Sequence, residues 1–263
     1  MPVRMTLPPT LAARLAASER AQFGVWVCSG SAVNAEVAAG SGLDVVLIDA
    51  EHSPNDLPSI LAQLQAVAAY PVTPLVRPPF GDPVVIKQYL DVGAQNLLIP
   101  MVDSAEHAEA MVRAVRYPPH GIRGVGSALA RASRWNRVEG YLADAASTVS
   151  LFVQIESSTA LEHVEEIVAV DGVDGILIGP ADLAASMGFL GQQEHPEVVA
   201  GVLRSIRAAV EAGKPAGVNA FAPASADRYV EAGAALVLVG ADVAILARAT
   251  EALADRFIGT DDA

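Results

Sequence analysis

The chain has 263 residues, 52 % of them hydrophobic, enough for one sizeable core, and a single large α/β domain over 1–263 is the expected organisation. A formal net charge of −13 opposes nucleic-acid binding, and the 17 basic residues cluster only loosely, at Arg123, Arg131, Arg134 and Arg137, which suits an anion or a subunit contact. No apolar run approaches the roughly 18 to 20 residues of a membrane span, MPVRMTLPPT lacks the core of a secretory signal, and Cys28 is alone, so a cytoplasmic protein without membrane contact, disulfides or a thiolate metal cluster is expected.

In chain order, a leading helix ends near Ser18 to Gln22, and short β-branched runs then recur: FGVWVC, DVVLID, VTPLVR, QNLLIP, SLFVQI, DGILIG, PAGVNA and ALVLVG. Segments with helical spacing of apolar residues separate them, among them DLPSILAQLQAVAAY, DPVVIKQYLDVG, SAEHAEAMVRAVRY and HPEVVAGVLRSIRAAVEAG. Strict alternation with strands this apolar means parallel strands covered by helices, and eight units predict a closed (β/α)8 TIM barrel. No G-x-G-x-x-G follows the first strand, which disfavours a dinucleotide fold. The irregular excursion from Tyr117 to Ser150 is too rich in Gly, Pro and Arg for a plain connector and is expected at a site mouth or an interface.

In a parallel barrel the active site lies at the carboxyl ends of the strands. The residues there are Trp26 to Ser31, then Asp49, Glu51 and His52, then Arg77, Asp103, Gln154 and Glu156, Gly179 to Asp182, and Asn219. Asp49, Asp103 and Asp242 could equally be helix caps or solvated loop residues. Glu156 and Asp182 follow adjacent strands, and paired carboxylates there would repel unless a cation lay between them. An all-oxygen site completed by water and a bidentate substrate suits Mg²⁺, Mn²⁺ or Co²⁺. A Schiff-base mechanism is disfavoured, because Lys87 lies inside a helix pattern and Lys214 precedes the seventh strand. Of the histidines only His52 points at the mouth. Arg77, held before PPF, can set a guanidinium against a carboxylate or enolate oxygen.

The stretches LIDAEHSPNDL, VRPPFGDPVVIKQYLDVGAQNLLIPMV, RYPPHGIRGVGSALARASRWNRV, VQIE and GVDGILIGPADL resemble the HpcH/HpaI aldolase family, from about Phe23 to Arg256. The resemblance implies a class II, metal-dependent pyruvate aldolase on a barrel of the phosphoenolpyruvate/pyruvate type, assembled as a homohexamer with the C-terminal helix exchanged between subunits. It assigns the divalent metal to Glu156 and Asp182, and pyruvate to Gln154 and the backbone of Gly179, Pro180 and Ala181. His52 becomes the base, Arg77 the enolate stabiliser, and Asp91 the group that raises the basicity of the histidine. Asp91 ends a helix that runs antiparallel to its strand, so it points away from its own mouth and would have to serve the His52 of a neighbouring subunit.

The resemblance further implies cleavage of a small 2-oxo acid, 4-hydroxy-2-oxoheptanedioate, to pyruvate and an aldehyde, succinic semialdehyde, as in aromatic catabolism. Sugar-acid relatives acting on 2-keto-3-deoxy-L-rhamnonate or 5-keto-4-deoxy-D-glucarate share the pyruvate half. A CoA-ester lyase would need a basic nucleotide groove, and a non-catalytic barrel would be signalled by a missing ligand, yet every expected ligand is present. VCSGSA and GVNAFAPAS depart from the relatives, so Asn219 and Phe221, with Ser127 from the excursion, are expected to select the aldehyde, and Trp26 at the end of the first strand is a further substrate-binding candidate.

Overall fold

The computed structural model describes residues 3–259. Its strands are β1 (Gln22–Val27), β2 (Val45–Asp49), β3 (Thr73–Arg77), β4 (Asn96–Ile99), β5 (Ser150–Ile155), β6 (Gly175–Ile178), β7 (Ala216–Asn219) and β8 (Leu236–Ala241). Each pairs in parallel with the next, and β8 closes on β1, so the predicted eight-stranded barrel forms. Alternate strand residues divide between two cores, as the two-residue side-chain period requires. Leu47, Leu75, Leu98, Phe152, Leu177 and Leu238 fill the interior. Ile48, Val76, Ile99, Val153, Ile178 and Val237 pack outward against the helices.

The helices are α1 (Leu11–Ala16), α2 (Ala32–Ala39), α3 (Leu57–Ala66), α4 (Pro83–Asp91), α5 (Ala105–Val115), α6 (Tyr141–Asp144), α7 (Ser158–Glu162), α8 (Val164–Ala169), α9 (Pro180–Ser186), α10 (Pro196–Glu211), α11 (Pro223–Glu231) and α12 (Asp242–Phe257). None is long and apolar enough to cross a membrane among the described residues. The leading helix α1 plugs the N-terminal end of the barrel: Leu11 and Leu15 join the interior core, and the Leu11 N–H donates to Asn96 Oδ1 at 2.7 Å. The last helix, α12, buries none of its residues and leaves Val243, Ile245, Leu246, Leu253 and Phe257 exposed.

The excursion runs from α5 to β5 and therefore lies at the N-terminal end of its own barrel, away from the mouth. Arg131 ties it to the ends of α3 and α4, donating to the carbonyls of Leu64 and Val92, each at 3.2 Å. Fully buried Arg123 stacks over Tyr117 at 4.5 Å and reaches Asp91 at 3.4 Å. Composition identified the segment as built rather than connecting, but an αβ connection is held at the end where helices finish and strands begin.

Candidate active site

At the carboxyl end of the barrel a row of polar side chains stands on the last turns of β2, β3, β5 and β6. Asp49 and Arg77 are partners in the β2–β3 register, and both are buried. The Arg77 Nε–H donates to Asp49 Oδ1 at 2.8 Å, and its Nη1 lies 2.8 Å from Glu51 Oε2. Nη1 also meets Gln154 Oε1 at 3.4 Å, while the guanidinium stacks 4.4 Å from the centre of the Trp26 ring. Four contacts therefore hold the plane of the fork and orient its charge.

The row continues through β5. The Gln154 amide donates to Glu156 Oε2 at 2.6 Å, and the Met101 backbone N–H donates to Oε1 at 2.7 Å. Met101 makes that bond from a left-handed backbone, φ 57°, a conformation that costs a non-glycine residue of order 1 kcal/mol or more and marks a constrained site. Gly179 leaves the room these groups occupy: a Cβ there would lie 2.9 Å from Gln154 Nε2 and 3.3 Å from Glu156 Oε2.

The electrostatics point to a cation. Burial pushes the Glu156 carboxyl up to about 7, with the negative charges of Glu51 and Asp182 adding to the effect while the Met101 N–H and Arg77 oppose it. Burial also raises Glu51, again against Arg77 and His52. Glu51 Oε2 is buried yet receives no hydrogen bond, since Arg77 lies off its acceptor direction. Three carboxylates, one of them exposed Asp182, thus face one space without enough donors. Hard oxygen donors of this kind suit Mg²⁺, Mn²⁺ or Co²⁺. Among the described residues no three His, Cys, Asp or Glu side chains group closely enough to hold a metal ion by themselves.

Around this centre, His52 stands on the β2 turn with its side chain 66 % exposed and Nε2 3.8 Å from Glu51 Oε2. Asp49 caps that turn as well as pairing with Arg77: its oxygens accept the N–H groups of Glu51 at 3.0 Å and His52 at 3.2 Å. Asn219 Oδ1 accepts the Trp26 indole N–H at 2.8 Å, closing β1 against β7, and Phe221 beside it is half exposed. Pro180 is buried at the start of α9, and Ala181 and Asp182 are exposed there. Asp242 accepts the N–H groups of Cys28 and Ser29 at 2.8 and 3.2 Å, so it ties the loop after β1 to the start of α12 rather than capping a helix. Cys28 is no nucleophile, because burial with Asp49 and Asp242 nearby pushes its thiol up to about 12.

His52, Arg77, Gln154, Glu156, Gly179 to Asp182, Trp26, Asn219 and Phe221 therefore share one mouth. Asp91 and Ser127 do not belong to it: Asp91 contacts Arg123, and nearly buried Ser127 accepts the Ser133 hydroxyl through its carbonyl. The sequence reading gave no role to Asp49, Glu51 or the Met101 N–H. For the acids a signal existed, since D-x-E after an apolar strand sets two carboxylates on the same side. The Met101 turn had none.

The HpcH/HpaI aldolase/citrate lyase family matches residues 22–249. The 4-hydroxy-2-oxo-heptane-1,7-dioate aldolase of Klebsiella pneumoniae is 55 % identical over 90 % of this chain and 90 % of its own. The protein of the same name from Escherichia coli is 53 % identical over 90 % of this chain and 91 % of its own. Among solved structures, an HpcH/HpaI aldolase/citrate lyase family protein from Burkholderia cenocepacia superposes with a TM-score of 0.90 at 39 % identity, covering 94 % of this chain and 98 % of that one. With a barrel of the expected topology, a buried Arg77–Gln154–Glu156 row at its mouth and relatives matched over nine-tenths of its length, the chain belongs to the HpcH/HpaI aldolase/citrate lyase family.

Proposed function

We propose that the protein is a divalent-metal-dependent class II aldolase that reversibly cleaves 4-hydroxy-2-oxoheptanedioate to pyruvate and succinic semialdehyde in the cytoplasm. The observation that carries this reading is the Glu156 carboxylate, buried beside two other acids and two residues from a carboxamide that reaches the fixed Arg77 fork. Glu156 and Asp182 would hold Mg²⁺, Mn²⁺ or Co²⁺, which supplies Lewis acidity at the keto oxygen of a 2-oxo acid.

The side chains account for the rest. Arg77 places positive charge where the C2 oxygen becomes an enolate, and Gln154 with the backbone of Gly179, Pro180 and Ala181 orients the carboxylate end. His52 takes the proton of the 4-hydroxyl as the C3–C4 bond breaks; the bonding pair passes to C3 and becomes the C2–C3 double bond of enolpyruvate, with charge on the C2 oxygen, and the aldehyde leaves. Protonation at C3 then gives pyruvate. Trp26, Asn219 and Phe221 border the place of the aldehyde.

Two residues of the sequence reading require an oligomer. Asp91 serves His52, and Ser127 the aldehyde, only if a neighbouring subunit presents its N-terminal end to this mouth, and a homohexamer in which α12 is exchanged supplies such contacts. The bare apolar face of α12 supports this assembly. The experiment is pyruvate release from 4-hydroxy-2-oxoheptanedioate after chelation and re-addition of each metal. Turnover should vanish and return, and full activity in verified metal-free protein would overturn the reading.

A further inference from the structure

The arginine cluster is not used at the mouth. Arg131 and Arg134 line a cavity of about 450 Å³ at the opposite end of the barrel, beside the start of β3, together with Arg14 of α1 and Trp135. No acidic side chain lines it, and among the described residues none of the three guanidiniums has a carboxylate within 4.0 Å. Their hydrogen bonds go to backbone carbonyls alone: Arg14 to Pro71, Arg131 to Leu64 and Val92, Arg134 to Arg131.

Two like charges are nevertheless brought together. A Cβ on Gly93, φ +98°, would lie 2.6 Å from Arg131 Nη1 and 3.2 Å from Arg134 Nη1, so the two forks converge over a residue with no side chain. Burial, then the charge of Arg134, pushes the Arg131 guanidinium down to about 10. Thr73 lines the same cavity, is 3 % exposed, and its hydroxyl has no hydrogen-bond partner. The chain also holds Arg134, Trp135 and Asn136 in successive left-handed conformations, φ 53°, 55° and 60°, which strains non-glycine residues. Cations without a carboxylate partner among the described residues and local strain converge on one cavity in a chain of net charge −13.

We propose that this cavity binds a small organic carboxylate, with Arg131 and Arg134 receiving the carboxylate and Trp135 lying against the carbon chain. The anion would relieve the repulsion between the two guanidiniums. An organic acid suits the cavity better than free phosphate, because most of its wall is apolar, including Pro8, Leu64, Val67, Val72 and Pro74, and its volume is that of a small-molecule site. The cavity lies at the far end of the strands from the catalytic mouth of its own barrel.

The sequence holds two tryptophans, Trp26 at the mouth and Trp135 at the cavity, so 5-fluorotryptophan labelling reads the two places separately by ¹⁹F resonance, assigned with Trp135→Phe. Glutarate should shift the Trp135 resonance saturably. In the double variant Arg131→Gln/Arg134→Gln the apparent Kd should rise at least about 10-fold, the loss of one charge-assisted hydrogen bond. The single variant Arg134→Gln leaves Arg131 on the Leu64 and Val92 carbonyls, and should weaken binding by about 3-fold to 10-fold. A Trp135 resonance that does not move, or equal midpoints in wild type and the variants, would overturn the proposal. So would movement of Trp26 alone, which reports glutarate at the mouth. Inorganic phosphate shifting Trp135 at concentrations no higher than glutarate would replace it with an adventitious anion only.

Discussion

Glu156→Gln should make the metal-free protein more stable at pH 8, although it removes a carboxylate proposed to hold the metal. Glu156 is 3 % exposed, and in the folded protein its carboxyl is raised from 4.5 to about 7, first by burial and then by Glu51 and Asp182. A raised carboxylate is more protonated in the folded than in the unfolded chain, so stability is fully present below about pH 4.5 and is lost as pH rises through about 7. The difference between 4.5 and about 7 corresponds to roughly 3 kcal/mol at pH 8. Glutamine removes that cost but sets an amide against either the Gln154 amide or the Met101 N–H, both of which now donate to Glu156. One mismatched donor costs about 1–3 kcal/mol, so the net gain is on the order of 1 kcal/mol at pH 8. At pH 5 the gain should vanish and the mismatch should leave the variant less stable. The assay is the denaturant midpoint of chelator-treated wild type and variant from pH 5 to pH 8.5. With saturating Mn²⁺ the order at pH 8 should reverse, because wild type alone gains binding energy in full. A stability difference that does not change with pH would refute the assignment of Glu156 as a buried carboxylate awaiting a cation.

Arg77→Lys keeps the charge but loses the fork that touches Asp49, Glu51 and Gln154 at once, so kcat/KM for pyruvate release should fall about 100-fold or more; near wild-type kinetics would make Arg77 structural. His52→Ala and Asp91→Ala proteins, each poorly active alone, should regain activity when dissociated, mixed and reassembled, since Asp91 is at the wrong end of its own barrel, beside Arg123. Verified mixed oligomers without recovery would place Asp91 in a purely structural role. Asn219→Leu removes the acceptor of the Trp26 indole and should change relative condensation rates among aldehydes several-fold with little change in KM for pyruvate; an equal loss for every aldehyde would argue against an aldehyde subsite there.

The strand count, the closed parallel barrel and the positions where chemistry stands were legible in the sequence, because these depend on local patterns. Buried parallel strands are uninterrupted apolar runs, helices repeat every 3.6 residues, and the barrel puts whatever follows each strand at one mouth. His52, Arg77, Gln154, Glu156 and Asp182 could therefore be listed from spacing and residue type, and the long motifs pointed to the family. Partnership was not legible. Local spacing leaves Asp49 as a cap or a solvated loop residue, and only the β2–β3 register and the β2 turn made it a buried partner of Arg77 that also caps the turn. Nothing near Met101 in sequence announces that its N–H meets Glu156, 55 residues away. The excursion shows the same limit: its composition marked it as a built segment, but the direction of α5 sent it to the closed end of the barrel, where Arg123 took Asp91 and Arg131 converged with Arg134 over Gly93. Periodicity along a chain specifies which elements form and which face they bury. Which charges finally meet is decided by strand register and barrel closure, which join residues that no local pattern relates.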